Sequence, residues 1–109
     1  MKTTMRAGFV FTAALAALSI WNAAPARAAT VQVTIDKVAY APVDISARVG
    51  DTIEWSNKDI VAHTATARDK KWDLMIMPGK KQTLVVKQAG EIDYYCKFHP
   101  NMVGHISVK

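Results

Sequence analysis

Near its C-terminus the chain reads Cys96-Lys97-Phe98-His99-Pro100-Asn101-Met102, so a thiol, an imidazole and a thioether recur at every third residue. On a tight loop, stiffened where Pro100 fixes its own φ, three such side chains can turn their heteroatoms toward one point. They are poor partners for a hard cation and good ones for copper, and two histidines, one thiolate and a weak axial methionine make the trigonal blue-copper arrangement. That arrangement needs a second histidine. His63 is the candidate, following Trp55-Ser56-Asn57-Lys58-Asp59 at a point where a neighbouring strand or its end can present it beside the loop. Each residue alone has a plainer reading, since a lone cysteine is usually a small buried hydrophobe and a methionine is often core filler. The ordered C-x-x-H-x-x-M run, the upstream histidine, an all-strand pattern and an export signal together favour a metal, and ligand softness favours copper.

The elements that must position these residues have period two. Val31, Val33 and Ile35 alternate with Gln32, Thr34 and Asp36, which is the mark of a half-buried strand. The same alternation puts Val43, Ile45, Ala47 and Val49 on one face, then Ile53 and Trp55 after the Gly50-Asp51 turn. Residues 62–67, 82–88, 91–97 and 104–109 continue the series, with Ile92, Tyr94 and Cys96 sharing a face. Turn signals at Pro78-Gly79, Ala89-Gly90 and His99-Pro100-Asn101 separate them. About seven to eight short strands and no long amphipathic helix predict an all-β fold, a sandwich of two packed antiparallel sheets with Greek-key links. Residues 68–77 carry no clear pattern. His105 alternates with Ile106 and Val108 and is expected on the outward face.

Size and charge narrow the classes further. At 109 residues the chain has room for one small domain, and its single cysteine excludes an intramolecular disulfide and a zinc framework of paired cysteines. The net charge of +5 invites a nucleic-acid reading, but Lys2, Arg6 and Arg27 lie in the first thirty residues with no acid among them, and removing those three leaves +2. No interleaving of aromatic and basic residues marks a nucleic-acid module. Cationic residues 1–6, an apolar stretch over 7–21 and Ala26-Arg27-Ala28 form the three-part layout of a secretory signal peptide. Residues 1–28 are therefore expected as a signal peptide and 29–109 as the exported domain, periplasmic in a bacterial host and without stable membrane insertion after cleavage.

With these residues in place, the sequence resembles the cupredoxins, the small blue-copper proteins, and within them the amicyanins. The likeness rests on Val49-Gly50-Asp51-Thr52-Ile53-Glu54-Trp55-Ser56-Asn57, His63-Thr64, Pro78-Gly79, Gly90 with Tyr94 before Cys96, and Met102-Val103-Gly104-His105-Ile106. The short span from Cys96 to Met102 is the amicyanin-like spacing. The resemblance implies a cupredoxin-like sandwich, one type 1 copper, and His63, Cys96, His99 and Met102 as its ligands. Where the family commonly has Asn after the first histidine, this chain has Thr64, and Ile92 stands where a Tyr is frequent.

Four ligands leave no open position for a substrate, so an electron carrier is expected and not an enzyme. The resemblance further implies that the second histidine of the loop reaches the surface through an apolar patch. Here His99 would be surrounded by Pro100, Met102 and Val103, with Met77 and Pro78 nearby, as the place where a redox protein such as a dehydrogenase or cytochrome docks on a monomer. Arg68, Lys70, Lys71, Lys80 and Lys81 could ring that patch and steer an acidic partner. Two other readings stay open. A copper carrier or chaperone would use the same ligands with Met75 and Met77 as extra soft donors, and a metal-free immunoglobulin-like module would account for Trp55 and the Tyr94-x-Cys96 spacing.

Overall fold

The computed structural model describes residues 28–109 together with Thr3 and Gly8, and the remainder of the signal peptide expected over 1–28 lies outside the described residues. The period-two segments become strands: β1 (Thr30–Ile35), β2 (Tyr40–Ala41), β3 (Asp44–Ala47), β4 (Thr52–Asn57), β5 (His63–Ala67), β6 (Asp73–Ile76), β7 (Lys81–Val85), β8 (Gly90–Cys96) and β9 (His99–Val108). They form two sheets, one in the order β2-β1-β4-β7 and the other in the order β3-β9-β8-β5-β6. The sheets are mixed and not antiparallel throughout as expected: β1 runs parallel to β4 and β3 to β9, because each pair joins strands far apart in sequence and not neighbours linked by a hairpin. The all-β sandwich is the architecture that the alternation predicts.

Alternation also decides which residues fill the space between the sheets. Val33 and Ile35 of β1, Ile53 and Trp55 of β4, Tyr94 and Cys96 of β8, and Met102, Ile106 and Val108 of β9 are all buried. Tyr40, Trp55 and Tyr94 make the centre. The Tyr40 and Tyr94 rings lie 4.6 Å apart, the Trp55 and Tyr94 rings 5.6 Å apart edge to face, and Trp55 Nε1 donates to Tyr94 Oη at 3.3 Å. Each aromatic pair of this kind contributes about 0.5–1.5 kcal/mol beyond its buried area. Burial pushes the Tyr94 phenol up to about 12, against the opposing effect of the Trp55 bond, and pushes Tyr40 further still.

The boundaries differ from the sequence expectation in four places. The expected strand through Val43 and Val49 shortens to β3, and those two valines are about half exposed. The backbone turns at once after Val49, where Gly50 takes φ +97°. The expected strand over 82–88 shifts back to Lys81–Val85, while Val86 leaves the ladder to bond Asp51 O. The stretch 68–77 contains β6, an edge strand in which Leu74 and Ile76 face the core while Asp73 and Met75 are exposed; the outward Met75 and Met77 are as apolar as their inward neighbours and blur the alternation. Finally β9 begins at His99 and not at 104, so the predicted ligand loop is a two-residue turn, Lys97-Phe98, between paired strands.

His105 stands on the outer face, as alternation predicts, and is partly exposed. Its Nδ1 lies 2.6 Å from Asp93 Oδ1 and its Nε2 2.5 Å from Glu91 Oε2, while Ser107 Oγ donates to Glu91 Oε1 at 2.8 Å. Asp44 of β3 is its register partner across the parallel ladder. A ring with a carboxylate at each nitrogen is favoured as the cation, and Asp93 first, then Glu91, raises its pKa above the ordinary 6.5. A raised folded-state pKa gives stability that is fully present below 6.5 and lost as pH rises through the folded value. We expect the urea midpoint of the wild-type domain to fall over that window relative to His105→Gln. Identical pH profiles for the two proteins would refute the assignment.

Candidate metal centre

His63 is the first residue of β5, Cys96 the last of β8 and His99 the first of β9. The β8–β9 hairpin explains half of this convergence. A bulge at Tyr95/Cys96 and the Lys97-Phe98 turn put Cys96 and His99 opposite each other as register partners. The other half comes from β5 lying beside β8 in the same sheet. Cys96 Sγ is 3.7 Å from His63 Nδ1 and 3.8 Å from His99 Nδ1, the two ring centroids are 5.1 Å apart, and one donor atom from each residue falls within 4.8 Å of the others. His63 and Cys96 are fully buried and His99 is partly exposed.

The spacing can be tested against coordination geometry. Bonds of about 2.0 Å to nitrogen and 2.3 Å to sulfur, at a trigonal angle of about 120°, separate nitrogen from sulfur by about 3.7 Å. Both sulfur–nitrogen distances meet that requirement without rearrangement. A borderline-soft N₂S donor set fits copper. Met102, the expected fourth ligand, is buried in β9 and lines a surface depression with Val38, Phe98, His99, Pro100 and Asn101.

The orientation of His63 is enforced from outside the three donors. Its Nε2 meets Asp59 Oδ2 at 2.7 Å. The carboxylate takes the proton-bearing nitrogen and leaves Nδ1 as the lone-pair donor aimed at Sγ. Asp59 is itself fixed by the N–H groups of Lys37 and Val38, at 2.7 and 2.9 Å, and by Asn57 Oδ1 accepting from its backbone N–H at 2.9 Å. Val38 N–H is the largest influence holding the Asp59 carboxyl below its ordinary range, followed among the stabilising contacts by His63. Lys37 and Val38 both have positive φ, 52° and 58°, which is costly for a β-branched residue such as Val38 and is maintained here by the shared carboxylate. Sequence reasoning missed this role for Asp59: a His–Asp contact four residues apart is a helix signal, and no helix is present among the described residues to give it that meaning.

Thr64, the residue that departs from the family pattern, retains the tie between the two ligand segments. Its Oγ1 accepts from Lys97 N at 2.9 Å and its own N–H donates to Cys96 Sγ at 3.3 Å, while Tyr40 Oη donates to its carbonyl. A hydroxyl does the work of an amide because β5 sits close enough to the turn. The basic residues expected to ring the apolar patch are divided instead. Arg68 and Lys70 lie over the Tyr95 ring at 4.7 and 5.1 Å, whereas Lys81 pairs with Glu54 of the other sheet at 3.7 Å.

Comparison with known proteins agrees with this geometry. A family model described as a cupredoxin-like domain matches residues 8–108. Amicyanin of Paracoccus denitrificans is 30% identical over 97 residues, covering 84% of this chain and 74% of its own, and amicyanin of Paracoccus versutus is 27% identical over 93 residues, covering 80% and 70%. Among solved structures, a reduced amicyanin variant superposes with a TM-score of 0.65 at 29% identity, covering 73% of this chain and 82% of its own. A purple cupredoxin from Nitrosopumilus maritimus superposes with a TM-score of 0.66 at 28% identity, covering 72% and 99%. With a two-sheet sandwich, a thiol facing two imidazoles and a family match over nearly its whole length, this chain belongs to the cupredoxins, the blue-copper family, and is most like amicyanin within it.

Proposed function

We propose that this protein is an exported one-electron carrier whose copper is held by His63, Cys96, His99 and Met102. One observation carries the reading: Cys96 Sγ stands 3.7 and 3.8 Å from the Nδ1 atoms of two histidines supplied by separate strands. Bound copper supplies a couple between its singly and doubly charged states. The chain supplies the rest. Cys96 would hold the ion through its sulfur, and Thr64 N–H, which already donates to that sulfur, would support the charge there. His63 is clamped from behind by Asp59, and Met102 would add a weak thioether donor. A site fixed in this way needs little movement when its charge changes, which makes transfer fast, and four side-chain donors leave no position for a substrate.

The partly exposed His99 is the proposed exit for the electron. Phe98 and Val103, 52% and 42% exposed, widen the apolar surface beyond the residues read from the sequence. A small apolar face suits brief docking of a redox protein, because transient redox interfaces are small. Export to a periplasm-like space rests on the N-terminal pattern of residues 1–28.

The test is a visible and EPR spectrum of the mature domain after addition of Cu(II), followed by reduction and reoxidation. An intense thiolate-to-copper band with narrow hyperfine splitting, bleached and restored reversibly, is expected. A protein that stays colourless and takes up only Cu(I) would turn the reading to copper delivery, for which the exposed thioethers of Met75 and Met77 (43% and 53% exposed) offer extra donors. Met102→Leu is expected to keep copper and the blue band while raising the reduction potential, because the lost thioether stabilised the more highly charged ion. Voltammetry showing an unchanged or lower potential would remove Met102 from the ligand set.

A further inference from the structure

On the outer face of the five-stranded sheet, two buried hydroxyls connect the metal end of the fold to a surface ion pair. Thr64 and Thr66 are neighbours on one face of β5, 0% and 2% exposed. Lys97 N donates to Thr64 Oγ1 at 2.9 Å, Thr64 Oγ1 and Thr66 Oγ1 are 2.9 Å apart, and Thr66 Oγ1 donates to Asp73 Oδ1 of β6 at 2.8 Å. The chain closes on itself, because Asp73 Oδ2 also receives Lys97 Nζ at 2.6 Å. One residue, the one directly after Cys96, thus enters the ring through its backbone and again through its side chain.

The direction of every proton in the ring follows from one fact: an ionised carboxylate only accepts. Thr66 has one hydroxyl proton and spends it on Asp73. Thr64 must then give its own proton to Thr66 Oγ1. Its remaining lone pairs are turned toward Lys97 N–H, the single donor they meet from the turn. Asp73, at the surface, therefore dictates the orientation of a hydroxyl that holds the Cys96–Lys97 peptide. The ordering is costly to disturb, since a buried hydroxyl deprived of its acceptor keeps its desolvation penalty with nothing to offset it.

We infer that Thr66 and Asp73 are positioning residues for the metal centre, acting through Thr64 to set the distance between Cys96 Sγ and Thr64 N–H. The inference deepens the electron-carrier reading and rests on it for its effect on potential. It does not rest on it for the hydrogen-bond order, which belongs to the metal-free chain. A donated N–H stabilises negative charge on sulfur most strongly when the centre holds its extra electron. Loosening that contact lowers the reduction potential.

The experiment compares Thr66→Val, which keeps shape and removes the hydroxyl, with Thr66→Ser, which keeps the hydroxyl, and adds Asp73→Ala at the exposed end. Amide exchange of Lys97 is followed by NMR in the metal-free proteins, and potentials are measured after loading with Cu(II) alone. A bond in such a network is worth ~1 kcal/mol, or roughly fivefold in an opening equilibrium. Thr66→Val and Asp73→Ala are expected to speed Lys97 exchange by about that factor and to lower the potential, with Thr66→Ser close to wild type in both. Unchanged Lys97 exchange in Thr66→Val and Asp73→Ala would overturn the ring. Faster exchange at an unchanged potential would overturn the positioning role and leave a purely structural one. Should wild type form no blue centre at all, the electron-carrier reading falls, while the exchange rates still decide whether the ring is ordered as described.

Discussion

Cys96→Ala is expected to erase the intense visible band of the copper-loaded protein together with its reversible one-electron wave. Sγ is the atom that both imidazoles face, at 3.7 and 3.8 Å. Two imidazoles with centroids 5.1 Å apart can still hold Cu(II), so copper content alone is a poor readout. Colour and potential are the decisive ones, because the band arises from charge moving between thiolate and metal. The substitution also strips Thr64 N–H of its acceptor in a fully buried setting, a penalty of ~1–3 kcal/mol that a modest loss in the urea midpoint would register. A strongly blue Cys96→Ala protein would overturn the ligand assignment altogether.

The largest expected loss of stability comes from a residue with no part in the chemistry. Gly104 of β9 is the register partner of Tyr94 in β8, and a Cβ built on it would lie 2.3 Å from Tyr94 Cζ and 2.5 Å from its Oη. Either the ring or the strand has to move. The ring is fully buried, packed against Tyr40, Trp55 and Trp72 and hydrogen-bonded to Trp55 Nε1, so it has no free volume to enter. Overpacking a closed core costs ~1–3 kcal/mol and occasionally more, and a clash with the centre of the core belongs at the upper end. Gly104→Ala should lower the melting temperature of the metal-free domain by roughly 10–20 °C, at about 4–8 °C per kcal/mol for a domain of this size. A melting temperature within two degrees of wild type would show that the ring gives way at little cost.

The sequence made part of this site legible and hid part of it, for physical reasons that differ by residue. The convergence of His63, Cys96 and His99 could be anticipated because the side-chain types are chemically specific and the spacing of two of them is local. Alternation placed Tyr94 and Cys96 inward and His105 outward, since one face of each strand is buried and the other wet. The edge strand β6 escaped notice because its outward face carries Met75, so that Leu74-Met75-Ile76-Met77 reads as one apolar run although only Leu74 and Ile76 turn to the core. Asp59 and Thr66 were invisible for another reason. A carboxylate or a hydroxyl has many uses, and the use made here depends on contacts with Val38 and Asp73 that only the folded backbone creates. The departure at Thr64 illustrates the same point: residue type alone did not reveal that Oγ1 would reach Lys97 N.

β5 and β8 are register partners at Thr66–Tyr95 and Ala67–Tyr94, and toward the metal end no further pair continues the ladder. Beyond that point the sheet is an open seam, fastened by Thr64 Oγ1 with Lys97 N and by Thr64 N–H with Cys96 Sγ. An ion held between His63 and the β8–β9 hairpin would act there as a rivet, joining the two sides where backbone stitching stops. Its grip counts toward the mechanical integrity of the sandwich as well as toward its redox behaviour, because whatever binds the folded form in preference to the unfolded one stabilises it. Loss of the ion would therefore loosen this end of the sandwich first, and leave the pairs at Thr66–Tyr95 and Ala67–Tyr94 to hold β5 against β8.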